Sequence, residues 1–313
     1  MDKEERPLTR DDFADREGWL RHCHEGGIDL AHENGGFNGV RGEKHYAAML
    51  GIIYGQSRRA YEHAWAQWGV SRSLRARQLY KAYHAVAFAN CLGRVLDSSL
   101  DITWSLQGIR GDHEVLRHQT AFLDAIRRWF DRNDEWAAYM WVMERGDRFG
   151  LHTHINLYIP PNLAERFRKY AAATLARIVG GPLVDANGIR TMLIQPRDGR
   201  NVIGQWARFR YVMKGLDAGV MWFDRANPQA SLTFKERANM RISFEGEISV
   251  KRMGVSRALD DSARRGWSAL NEFPDMTIKE EGPLFDDRFL RWFCEHGDKI
   301  VAPSESRNGN ARK

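Results

Sequence analysis

The chain of 313 residues is 43% hydrophobic and 28% charged, the balance of ordinary folded material, and is long enough for two domains or one large one. Its 47 Lys and Arg against 41 Asp and Glu leave a formal charge of +6 and a pI near 9.3, which favours a polyanionic partner, most often nucleic acid. Three scattered cysteines (Cys23, Cys91, Cys294) exclude a disulfide framework, and neither a signal peptide nor a membrane-length apolar run is present, so a cytoplasmic protein with no membrane partner is expected.

Residues 1–40 begin charged and turn Gly-rich, the composition of a leader with one short helix near Asp11–Glu25. His22-Cys23-His24 has no second ligand group at useful spacing and reads as a solvated cluster. Residues 43–97 read as helices. Tyr61–Trp68 is one, Gly69-Val70-Ser71 a stop and an N-cap, and Arg72–Leu96 a long amphipathic segment. This loosely resembles a helix-turn-helix, and its basic face suits DNA phosphates or simply solvent.

From Leu100 the periodicity changes. Asp101–Gln107 alternates as a strand with Ile102, Trp104 and Leu106 on one face, and Asp112–Arg132 follows as a helix. Tyr139–Glu144 and His152–Ile159 are two further strands around a Gly- and Asp-containing turn, hence a hairpin. Helix Leu163–Val179, strand Ile189–Gln195 and helix Val202–Leu216 complete a β-α-β-β-α-β-α order. This predicts an α+β fold, an antiparallel central sheet flanked by helices, over residues 99–218. A helical, basic N-terminal region, 1–98, precedes it, and a C-terminal extension, 219–313, follows. In the extension, Arg241–Lys251 alternates weakly as an added strand, Gly254–Leu259 looks like a helix start, Leu284–His296 is a helix, and Ser304–Lys313 is a basic tail expected to be disordered.

The chemistry concentrates in the hairpin. His152, His154, Asn156 and Tyr158 fall on one face of their strand, and Thr153, Ile155, Leu157 and Ile159 on the other. If the hairpin folds about Asp147–Arg148, Glu144 lies opposite His152, and two imidazoles and a carboxylate converge. One histidine is usually structural. Two at i, i+2 with a carboxylate across the hairpin point to a metal site, with Glu144 as the geometric choice of third ligand and Asn156 or Asp147 as alternatives under a register shift. On helix Val202–Leu216 the apolar face is Val202, Trp206, Phe209, Met213 and Leu216, leaving Tyr211 and Lys214 at i, i+3 on a neighbouring face, with Arg208 one turn earlier.

His-Thr-His on a central strand followed by Tyr-x-x-Lys on a later helix resembles the HUH endonuclease superfamily, in its branch of single-tyrosine rolling-circle replication initiators (Rep proteins) of bacterial plasmids and phages. The match covers Glu144–Pro160 and Arg210–Asp217. Thr153 stands where the family usually has a bulky apolar residue. Lys251-Arg252-Met-Gly-Val-Ser-Arg also resembles a basic stretch after the nuclease core in such proteins.

The resemblance implies sequence-specific nicking and rejoining of single-stranded DNA at a replication origin. Tyr211 would be the nucleophile and Lys214 its electrostatic partner, with Mg²⁺ or Mn²⁺ held by His152, His154 and Glu144. Arg208, Arg210, Lys251 and Arg252 are candidates for phosphate contacts. A single tyrosine implies one nick per protomer and so favours a homo-oligomer for termination. With no Gly-x-x-x-x-Gly-Lys-Ser/Thr in the chain, unwinding is expected from a host helicase, and a host polymerase would extend the freed 3′-hydroxyl. A transposase or mobilisation relaxase would use the same site on other DNA, and a non-catalytic DNA-binding regulator would not need a divalent metal. The opening of a cupin metal motif, Gly146-x5-His152-x-His154, lacks its later Glu, and a two-histidine phosphoesterase would need a second His-x-Thr/Ser strand.

Overall fold

The computed structural model describes residues 70–146, 150–186, 188–222, 232–243, 246–278 and 283–303. The expected leader helix, His22-Cys23-His24, helix Tyr61–Trp68, the hairpin's turn residues and the C-terminal tail lie outside these. Chain contacts divide the protein after Val70, and the second unit, Ser71–Lys313, carries the sheet and its helices.

Five strands form one antiparallel sheet. They are β1 (Ser98–Thr103), β2 (Tyr139–Gly146), β3 (Gly150–Leu157), β4 (Met192–Gln195) and a short edge strand, Met253–Val255. Their spatial order is β4-β1-β3-β2 and then the edge strand, so the hairpin expected from the alternation lies at the centre. Its register pairs Glu144 with His152, and β1 brings Asp101 opposite His154.

The period-2 alternation of β3 separates two cores. Leu151, Ile155 and Leu157 face the layer built by the helices Asp112–Asp131 (α2) and Ala164–Val179 (α3), which bury Phe122, Ile126, Phe130 and Phe167 there. The opposite face, carrying Met140 and Val142, is covered by the helices Ala76–Cys91 (α1) and Val202–Val212 (α4), together with Phe234, Leu259 and Phe289 from the C-terminal extension. α1 and the segment after residue 218 thus share a core with the sheet. The five anchors expected on α4 are all buried. Among the described residues no helix is long and apolar enough to cross a membrane.

Several elements differ from their expected bounds, each through a long-range contact. α1 begins at Ala76 rather than Arg72, because Ser71 exchanges backbone bonds with Ile248 and Leu74 with Gly215 and Asp217. β1 starts at Ser98 and ends at Thr103. Trp104–Gln107 is a 3₁₀ turn that swings Trp104 inward, closed by Gly108 at φ 75°. The strand of the extension is Met253–Val255 (here β5) rather than Arg241–Lys251, and it pairs with Val142, Trp141 and Met140. Gly254 and Val255, expected to open a helix, therefore lie in this strand, and the helix after them is Asp261–Ser268, capped by the Asp260 carboxylate. The last helix is Arg288–His296.

Candidate active site

Glu144, His152 and His154 meet on the sheet face beneath α4, with one ligand atom from each lying within 4.8 Å of the others. Both imidazole Nε2 atoms point at the same oxygen, Glu144 Oε1, at 2.7 Å from His152 and 2.8 Å from His154. Both Nδ1 atoms have acceptors on their far sides: the carbonyl of Gly150 at 3.0 Å from His152, and Asp101 Oδ1 at 2.6 Å from His154. The Lys214 ammonium lies 3.0 Å from the same Glu144 oxygen.

This donor set fits a divalent cation. Imidazole–imidazole–carboxylate suits Mn²⁺ or Mg²⁺ with positions left open, and the fixed Nδ1 partners aim Nε2 at a common point. Glu144 Oε2 and His154 Nε2 are buried without a well-formed hydrogen bond, the condition an ion between them would relieve. Burial alone would raise the Glu144 carboxyl, but the bonds and charge of His152 and His154 outweigh it and hold the group well below the usual carboxylate range. Burial alone would lower the His154 imidazole. Asp101 and Glu144 outweigh it, and the imidazole is raised instead.

α4 carries Tyr211 over this cluster. Asn201 caps the helix by accepting from the Gly204 N–H at 2.7 Å, and the Asn201 N–H donates to Asp97 just ahead of β1 at 3.0 Å. Gln205 accepts from the Leu96 N–H at 2.6 Å, and the Trp206 indole donates to the Asp286 carbonyl at 2.8 Å. These bonds fix the helix against β1, so its outward residues stand above the histidines. Tyr211 is 46% exposed, and its ring packs edge-on to His154 with centroids 5.6 Å apart. Two cations flank it, Arg208 with Cζ at 5.0 Å and Lys214 with Nζ at 4.3 Å from the ring centroid.

Of the residues expected from the sequence, Glu144, His152, His154, Tyr211 and Lys214 come together. Lys214 does so from the turn after the helix, which stops at Val212. Arg208, expected on a phosphate, also belongs to the cluster and donates to Asp101. Arg210 lies apart, over the Phe285 ring at 5.7 Å. Lys251 stands 5.6 Å from the Trp141 ring centroid, and desolvation, with Lys81 nearby, lowers its ammonium below the usual lysine range. Arg252 corrects an expectation. It is 2% exposed and donates to the carbonyls of Ser71 and Gly246, so it cannot meet a phosphate in this structure.

Two residues escape a reading of the sequence. Asp101 reads there only as the start of a strand, although the alternation of β1 and β3, once in register, puts it beside His154. Gly146 is needed because a Cβ there would come within 3.1 Å of His152 Cε1, and nothing in its sequence context signals that.

Residues 102–214 match a family model described as replication-associated protein ORF2. The matched segment runs from the residue after Asp101 to Lys214 and so contains all of the cluster except Asp101. No curated protein and no solved structure matches the chain. The fold and the match together support a replication-associated role with DNA as the partner, and the triad can hold a metal ion.

Proposed function

We propose that this protein nicks and rejoins single-stranded DNA through a covalent tyrosine intermediate, as the initiating step of rolling-circle replication. The observation that carries the reading is the exposed Tyr211 hydroxyl-bearing ring set against a His–His–Glu cluster, within a segment similar to a replication-associated family.

Glu144, His152 and His154 would hold Mn²⁺ or Mg²⁺, which when bound supplies charge neutralisation and polarisation at the scissile phosphate. Tyr211 attacks phosphorus. A Tyr211 Oη–P bond forms, the P–O3′ bond breaks, the phenol gives up its proton and the leaving oxygen gains one. The products are a 5′-phosphotyrosine and a free 3′-hydroxyl. Lys214, beside both Tyr211 and Glu144, stabilises the negative charge that develops on the phenol oxygen. The ester conserves the reactivity of the bond, so a later 3′-hydroxyl can displace Tyr211 and reseal the strand. Arg210 and Lys251 are proposed as phosphate contacts outside the cluster, giving salt-dependent binding.

The test is a denaturing gel of origin-derived single-stranded DNA incubated with Mn²⁺ and protein. A denaturant-resistant protein–DNA adduct is expected with the parent and lost in Tyr211→Phe, His152→Ala and metal-free samples. Cutting without an adduct, or equal cutting by Tyr211→Phe, would make the chemistry hydrolytic and the tyrosine assignment wrong.

A further inference from the structure

We infer that Asp101 and Arg208 are a positioning pair that selects the metal-binding tautomer of His154 and links that histidine to the nucleophile's helix. The inference rests on the metal site proposed above and concerns residues to which that reading gave no such part.

His154 Nδ1 has two neighbours, Asp101 Oδ1 at 2.6 Å and an Arg208 Nη at 3.3 Å. A guanidinium stays protonated and offers only donors, whereas a carboxylate offers only acceptors. Nδ1 can therefore donate to Asp101 or accept from Arg208, but not both. The distances decide between them. The Asp101 contact has the length of a strong charge-assisted bond, and the Arg208 contact lies beyond the usual range. Nδ1 thus carries the hydrogen, and Nε2 is the atom that can give its lone pair to a cation beside Glu144. The opposite tautomer would place a hydrogen on Nε2 and close the site.

Arg208 keeps Asp101 in this role, because its guanidinium donates to the same carboxylate oxygen that His154 uses. The strand register delivers Asp101 opposite His154, and α4 delivers Arg208 from above. The same guanidinium lies over the Tyr211 ring, three residues further along the helix. One side chain thereby touches the carboxylate that orients His154 and the ring that would attack phosphorus. A surface arginine kept only for phosphate binding would not need a partly enclosed carboxylate partner.

The experiment measures Mn²⁺ affinity of the full chain by the electron paramagnetic resonance of free Mn²⁺, beside an unfolding midpoint for each variant. Asp101→Ala is expected to stay folded and bind Mn²⁺ about 10–100-fold more weakly. Asp101→Asn retains an acceptor oxygen for Nδ1–H and is expected to recover most of that loss. Arg208→Gln is expected to slow adduct formation by more than it weakens Mn²⁺ binding. Parent-like affinity in a folded Asp101→Ala variant, or an Asn variant as weak as Ala, would overturn the inference while leaving the nicking reading intact. A parent protein that bound no Mn²⁺ would overturn the proposed metal site and this inference with it.

Discussion

Thr153 shows how one residue supports the site from behind. It sits between the two histidines but on the other face of β3, fully buried, where the resembled family usually has a bulky apolar side chain. Its hydroxyl accepts from the Trp104 indole at 2.9 Å and donates to Gln119 Oε1 of α2 at 2.7 Å. A threonine at this point ties the strand to the 3₁₀ turn and to a helix, where an aliphatic residue would only pack. Thr153→Val keeps shape but leaves the indole N–H and the amide oxygen buried without partners. We expect a loss of roughly 1–3 kcal/mol in urea unfolding; an unchanged midpoint would show that the hydroxyl's bonds contribute nothing net. The period-2 pattern made the histidine face legible from sequence alone, because side chains alternate whatever surrounds the strand. It could not reveal Asp101 or the partners of Thr153, since those depend on which strand and helix pack alongside.

At the scale of elements, α4 matters most, because its anchoring sets where Tyr211 stands. Its buried face was legible from the 3.6-residue spacing of Val202, Trp206, Phe209 and Met213. Its end was not. The helix stops at Val212 because the chain beyond it gives backbone bonds to Leu74 and Ser243, partners far away in sequence. The same cause shortens α1, whose expected first turn is held in bridges instead. At its start, α4 depends on Asn201 as both cap and tie to Asp97. Asn201→Ala removes the side-chain cap and is expected to lower stability by about 1 kcal/mol, measured as a fall in the thermal or urea midpoint. A variant as stable as the parent would mean that the Asp97 and Gln205 ties suffice.

At the scale of the whole unit, the C-terminal extension closes onto the sheet and does not hang from it. Asp112, at the first turn of α2, is a junction. One carboxylate oxygen takes the Arg145 guanidinium from the hairpin, and the other accepts from the Ser249 N–H at 2.7 Å and its hydroxyl at 2.8 Å. Burial would raise this carboxyl, but Ser249 and Arg145 outweigh it and hold it below the usual range. A depressed folded-state value means that the carboxylate's contribution is fully present above its unfolded value, about 3.9, and is lost as pH falls through the folded value. Asp112→Asn should therefore be less stable than the parent at neutral pH, with a gap that narrows as urea unfolding is repeated below about pH 4; a gap independent of pH would contradict this. None of this closure was legible in the sequence, where the extension carried only a weak alternation at Arg241–Lys251 and its actual strand is three residues long.

The central claim is that Tyr211 is the residue joined to DNA, and the most direct measurement is mass spectrometry of the covalent product. The protein is incubated with origin-derived single-stranded DNA and Mn²⁺, the DNA is trimmed by nuclease, and the peptides are sequenced. The account predicts a nucleotide-bearing peptide with the modification on Tyr211. A modification on another tyrosine, or trimmed protein with no nucleotide attached although the DNA has been cut, would contradict it.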